Sequence, residues 1–210
     1  MPRGSRGTPE VNSSSMADIA FLLLIFFLVT TTIATDKGLT LTLPPKADPN
    51  QPQPDITKNQ RNIFKILVNS SDRILVEDEP MTDISGLRDQ VKEFILNFGQ
   101  PDEETQALYN SLPASLKALS KRSESSSDDP TEAVVSFKAD RGTSYDVYIA
   151  ILDELQGAYY EIYGERIGLT ADEFRSLDRK KPDEQEKYTI AREGFPMNIS
   201  IAEPTKIGGN

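Results

Sequence analysis

The run SSSMADIAFLLLIFFLVTTTI, Ser13 to Ile33, constrains this chain more than any other stretch. From Ile19 to Ala34 only Thr30, Thr31 and Thr32 interrupt Phe, Leu, Ile, Val and Ala, and a helical threonine can bond its own helix's carbonyls. The segment is therefore a transmembrane candidate. Its sixteen positions rise about 24 Å as a helix, short of the roughly 30 Å of bilayer hydrocarbon. The span must recruit neighbours, which sets it at 16–36 and places Asp18 inside it.

Two accounts of Asp18 compete. In the first it is an interfacial helix cap, a carboxylate meeting free amides and the positive end of the helix macrodipole. In the second it lies just below the lipid boundary and faces protein, where ionisation costs several kcal/mol and the group can take up and release protons. A proton crossing the membrane yields about 2.3 kcal/mol per 100 mV, comparable to the cost of charging such a carboxyl. One acid could thus couple proton passage to movement. A lone helix cannot surround it with a pore, so the second account requires a multi-helix partner. Ser14, Asp18, Leu22, Ile25 and Val29 share one helical face and Thr32 lies near it. Ser14 and Thr32 are then candidate polar neighbours, or ordinary helix residues.

Composition removes several function classes. A formal charge of −10 argues against a nucleic-acid partner, which calls for clustered Lys and Arg. The chain has no Cys and no His, so there is no disulfide framework, no thiol chemistry and none of the commonest zinc ligand or general base. No cofactor is expected beyond the proton itself.

Arg3 and Arg6 precede the apolar run, and Asp36 and Lys37 follow it. This asymmetry places a polar N-terminal tail, 1–15, in the cytoplasm and the bulk of the chain on the other side. A cleaved signal peptide is the rival reading, with a basic start, an apolar core and small residues near Ala34. Residues 37–60, rich in Pro, Asn and Gln, form a linker that can carry the next domain some tens of ångströms from the bilayer when extended at about 3.1 Å per residue.

From 61 to 204 the pattern is that of an α+β domain. IFKILV, Ile63 to Val68, and RILVED are strands around an Asn69–Asp72 turn cluster. Thr82 or Asp83 caps a helix with Ile84, Leu87, Val91, Phe94, Ile95 and Phe98 on one face. The pattern weakens over 101–130, where a leucine-bearing stretch ends in SESSSDDP. This reads as a flexible insertion ending in a mobile loop. AVVSFKAD is a strand, and Thr143 with Asp146 suggests a capping box ahead of a long helix with Val147, Ile151, Leu155, Ala158 and Ile162 buried. A charged helix is expected over 171–186, broken or kinked at Pro182. PMNISIA, Pro196 to Ala202, is a closing strand and 205–210 a frayed end. The expected whole is a single N-terminal transmembrane helix followed by a mixed β-sheet domain with helices packed on one face.

DIAFLLLIFFLVTTTI followed by DKG and LPP, with an acid at the head of one N-terminal membrane helix, resembles the ExbD/TolR biopolymer-transport family. IFKILVNSSDRILVEDEPM is similar to that family's paired-strand element, and VVSFKADRGTSYDVYIAILDELQGA to its strand, Ala-Asp, Tyr and helix segment. The likeness covers about half of the chain, in the right order. Its longer C-terminal region resembles the ExbD branch of Bacteroidetes-like bacteria. The resemblance implies a non-enzymatic inner-membrane motor subunit with a periplasmic domain. It implies two copies whose membrane helices sit inside an ExbB-like pentamer, with the proton-carrying acid mapping onto Asp18. The partner across the periplasm would be a TonB-like protein that energises outer-membrane nutrient transport. A TolR-like role in envelope maintenance is the alternative. The insertion at 101–130 and the chain after Tyr163 depart from the short family pattern.

Asp140 and Tyr145 are candidate outer-domain partner contacts. In the plainer reading Asp140 satisfies loop amides and Tyr145 packs against the sheet. Two other classes stay open: a membrane-tethered module that grips peptidoglycan or an envelope protein, and a secreted hydrolase behind a cleaved signal peptide.

Overall fold

A computed structural model describes residues 13–30 and 59–202. The chain divides into two units, Met1–Lys46 and Ala47–Asn210. In the first, helix α1 runs from Ser13 to Thr30. The side chains described on it, 16–27, are all exposed, and its large apolar residues keep 40% to 62% of their surface open. The eighteen residues of α1 rise about 27 Å. Among the described residues no helix is long and apolar enough to cross a membrane. Residues 31–36 of the expected span, and the linker as far as 58, lie outside the described residues.

The second unit is built on five strands: β1 (Ile63–Val68), β2 (Ile74–Val76), β3 (Glu79–Met81), β4 (Val134–Ala139) and β5 (Ile199–Ala202). They lie in the order β3-β2-β1-β4-β5. β1 pairs antiparallel with β2 and β2 with β3, whereas β1–β4 and β4–β5 are parallel. The mixed sheet follows from the connections: tight turns can join only antiparallel neighbours, and the parallel pairs are bridged by helices. Asn69 builds the first turn, its side-chain oxygen accepting from the amides of Ser71 and Arg73 at 2.9 and 3.0 Å. Glu77 and Asp78, both at positive φ, make the second turn. Their conformation matches the twist of the flanking strands and leads into β3, which is not expected from the sequence because it is short and holds Pro80. Proline is tolerated there because β3 is an edge.

Alternation sets the sheet's two faces. Phe64, Ile66, Val68, Val76, Val135, Phe137 and Ala139 are buried, while Lys65 on β1 is exposed. Helices α2 (Leu87–Ile95) and α5 (Tyr145–Arg166) cover the buried face, with Phe94 against Phe64 and Tyr148 against Phe137, ring centroids 5.2 Å apart in each case. The expected stripes account for this: Leu87, Val91, Phe94 and Ile95 on α2, and Ile151, Leu155, Ala158 and Ile162 on α5, are buried.

Several local expectations are replaced. The cap of α5 is Ser144, whose Oγ accepts from the Val147 amide, while Thr143 donates to the Asn69 carbonyl. A reciprocal capping box occurs instead at Thr170 and Glu173, opening α6 (Ala171–Arg175). Pro182 does not break a helix but begins one, α7 (Pro182–Arg192), because the first turn needs no amide donor. Residues 101–130, expected as a flexible insertion with a mobile acidic loop, form α3 (Glu103–Ser111) and α4 (Ala114–Leu119) and then a return in which Ser127, Asp128 and Asp129 are buried. Asn62 donates to one oxygen of Asp128. Asp129 accepts from the Thr131 amide and hydroxyl and the Glu132 amide.

Candidate functional site

Asp18 sits five residues into α1 and is exposed. No acid stands in the first described turn of α1. Its carboxylate is the only charge among the described side chains of α1, between Met16 and Phe27. Ser14 lies within the same helix, and Thr32 lies outside the described residues. Between residues 16 and 27 Asp18 stands on an otherwise apolar stretch of helix. Among the described residues no group of three or more acids could hold a metal ion.

Asp140 and Tyr145 stand at the two ends of the loop that leads from β4 to α5. The Asp140 amide donates to the Val68 carbonyl at 2.9 Å, and the Thr143 amide donates to the Asp140 carbonyl at 3.1 Å. Asp72 fixes the same loop from the opposite turn, accepting from the Ser144 amide at 2.8 Å. Gly142 lets the two turns touch, since a Cβ there would lie 2.6 Å from the Ser70 Cβ. Tyr145 does not pack against the sheet. It opens α5 with 75% of its surface exposed.

A third cluster was not legible in the sequence. Arg88 on α2 donates to Glu154 and Glu161 of α5 at 2.8 and 3.0 Å, and Lys92 donates to Glu161 at 2.6 Å and contacts Asp89 at 2.9 Å. Burial pushes the Glu161 carboxyl up, but hydrogen bonds from Lys92 and Arg88 outweigh it and hold the acid below its ordinary value. Burial opposes the charge on Lys92 as well, and Glu161 and Asp89 reverse that, raising it. Gly157 makes room, since a Cβ there would meet the Arg88 guanidinium at 2.7 Å. The i, i+4 spacing of Arg88 and Lys92 and the i, i+7 spacing of Glu154 and Glu161 put each pair on one helix face. Only the packing of α2 on α5 brings those faces together. Beside the cluster a polar cleft of about 470 Å³ runs between α5 and α6, past Asp153, Tyr160, Glu165 and Arg175. Every charge of the cluster is paired, so it fastens helices and offers no free acid or base.

The family model described as Biopolymer transport protein ExbD/TolR matches residues 5–164. None of the curated proteins matches the chain.

Proposed function

The chain belongs to the ExbD/TolR biopolymer transport family, and from that premise we propose that it is an ExbD-like subunit of a proton-driven inner-membrane motor. The family is one of non-enzymatic transport subunits, and the matched residues take in both α1 and the sheet as far as α5. In this reading 16–36 spans the membrane, 1–15 is cytoplasmic, 37–60 links the span to a periplasmic domain at 61–204, and 205–210 trails from it. Two copies of the span stand inside an ExbB-like pentamer, which supplies the cover that α1's exposed apolar surface requires. Asp18 takes a proton from one side and releases it to the other, with Ser14 and Thr32 as its polar neighbours. The motion reaches a TonB-like protein through the outer domain, whose contact includes Asp140 and Tyr145. The observation that carries the proposal is Asp18 itself, an exposed carboxylate among the exposed apolar side chains of α1.

Proton flux into vesicles holding the chain with its copurified pentamer tests this, together with nutrient uptake in cells. Asp18→Asn at matched assembly is expected to lower flux and uptake to background. Persistence of both would reduce α1 to an anchor. That outcome would favour a tethered module that grips peptidoglycan or an envelope protein. Loss of flux with intact nutrient uptake and a leaky envelope would mark the TolR-like branch.

A further inference from the structure

The chain leads into the sheet through a single 3-10 turn, Gln60–Asn62, immediately before β1. Side chains from the return of the 101–130 segment hold this turn. Asn62 is buried; its amide nitrogen donates to Asp128 Oδ2 at 2.9 Å, and its Oδ1 accepts from the Asp128 backbone amide at 3.0 Å. Arg61 adds a second grip, with Nη2 2.7 Å from Asp128 Oδ1 and donating to Gln100 Oε1 at 3.0 Å. The return is tied in turn to the end of α2. Asn97 Nδ2 donates to the carbonyls of Ser123 and Ser127 at 2.7 and 2.8 Å, and the Ser127 hydroxyl donates to the Phe94 carbonyl. Gly99 permits this approach, for a Cβ there would lie 2.4 Å from the Ser123 carbonyl oxygen.

We infer that residues 123–130 form a strap that carries a pull arriving ahead of Asn59 onto helix α2, sparing the first pairs of β1. The argument is one of loading geometry. Without the strap, tension on Asn62 is borne by the parallel β1–β4 register alone, entering at Ile63 opposite Val134 and then Phe64 opposite Val135. With it, the two Asn62–Asp128 bonds and the Arg61 contacts share the load and must break together. The strap is also releasable. Arg61 Nε and Asp128 Oδ1 are buried without a well-aligned hydrogen bond, although Asp128 Oδ1 lies close to Nη2, and a buried ion pair left partly unsatisfied holds less firmly than a complete one. A segment that departs from the short family pattern thereby acquires a role, that of setting the tension at which the domain lets go of its tether.

This inference rests on the reading of α1 as a source of motion, but its test needs no proton gradient. The chain has no Cys, so Asn59→Cys and Ala202→Cys give unique attachment points for optical tweezers on the full-length protein in nanodiscs. In the parent the second unit is expected to yield in one event. In Asp128→Ala, and in Asn62→Ala, which leaves the Asp129 turn intact, an earlier event at no more than half that force should release the first residues of β1. Amide exchange over 60–64 should quicken at least tenfold, with α5 unchanged. Yield at the parental force with exchange within twofold would overturn the strap. So would exchange that quickens equally over 60–64, β4 and α5, which is general destabilisation. The Asp18→Asn flux experiment judges the motor reading separately.

Discussion

Two long helices of this chain, α1 and α5, obey opposite rules. α5, 22 residues long, alternates a buried side with a charged one. Ile151, Leu155, Ala158 and Ile162 face the sheet, while Asp153 is exposed. α1, 18 residues long, is apolar on all sides, and its large described side chains are exposed. A helix whose cover comes from its own chain needs only one apolar stripe. One that is apolar all round takes its cover from elsewhere, whether lipid or other helices. A charge then differs in meaning: an acid on α5 is one of many surface charges, whereas Asp18 is the only one among the described side chains of α1.

The contrast can be broken or sharpened by substitution. The largest stability effect is expected from α5: Leu155→Ala empties a fully buried site and should cost about 2–5 kcal/mol, read by urea denaturation of the outer domain. Leu23→Ala on α1 should leave that transition unmoved, and a shift would mean the helix is covered by the domain. Next comes Gly164→Ala, because a Cβ there meets the Leu169 carbonyl at 2.7 Å and overpacking of this kind costs about 1–3 kcal/mol. The melting temperature should drop, and an unchanged value would mean that the turn before α6 yields freely.

Smaller still is Glu161→Gln, which weakens the α2–α5 fastening by about 1 kcal/mol, as expected of a half-buried pair. Its signature is in pH. The Glu161 carboxyl is held below its ordinary 4.5, so its contribution is complete above that value and is lost as the pH falls through the folded-state value. Melts between pH 3 and 7 should show a shallower acid limb in the variant, and parallel limbs would remove Glu161 from the fastening. Ser144→Ala deletes the α5 cap for about 0.5–1 kcal/mol, seen as faster amide exchange confined to the helix's first turn.

Legibility followed the range of the forces. Where a residue's partner is close in sequence, the pattern sufficed: the Asn69 turn and the stripes of α2 and α5 follow from local spacing. Pro182 was misleading because the same missing amide that breaks a helix interior suits a first turn. The acidic run Ser123–Pro130 was misleading for a different reason. Its composition is that of a solvated loop, and nothing near it in sequence announces Asn62, Asn97 or Arg61, the distant groups that bury it. Tyr145 was placed in the right element but given the wrong surroundings, since helix periodicity is weakest at a helix's first residue. Asp18 was recognisable from the sequence as an oddity, and the structure adds that its side chain is exposed among exposed apolar neighbours.

The order in which β5 joins the sheet has a consequence for how the protein is made. Ile199 pairs with Val135, sixty-four residues earlier, and α5, α6 and α7 all lie between. At roughly 5–20 residues per second, translation takes about 3–13 s to deliver the partner of β4 after β4 itself appears. Throughout that interval VVSFKA presents a bare row of backbone donors and acceptors, the kind of edge that invites pairing with another chain. Its one charge, Lys138, marks the outer end of the row. Newborn chains are thus most prone to aggregate before residue 199 arrives, and a chaperone that binds extended segments would find its target there.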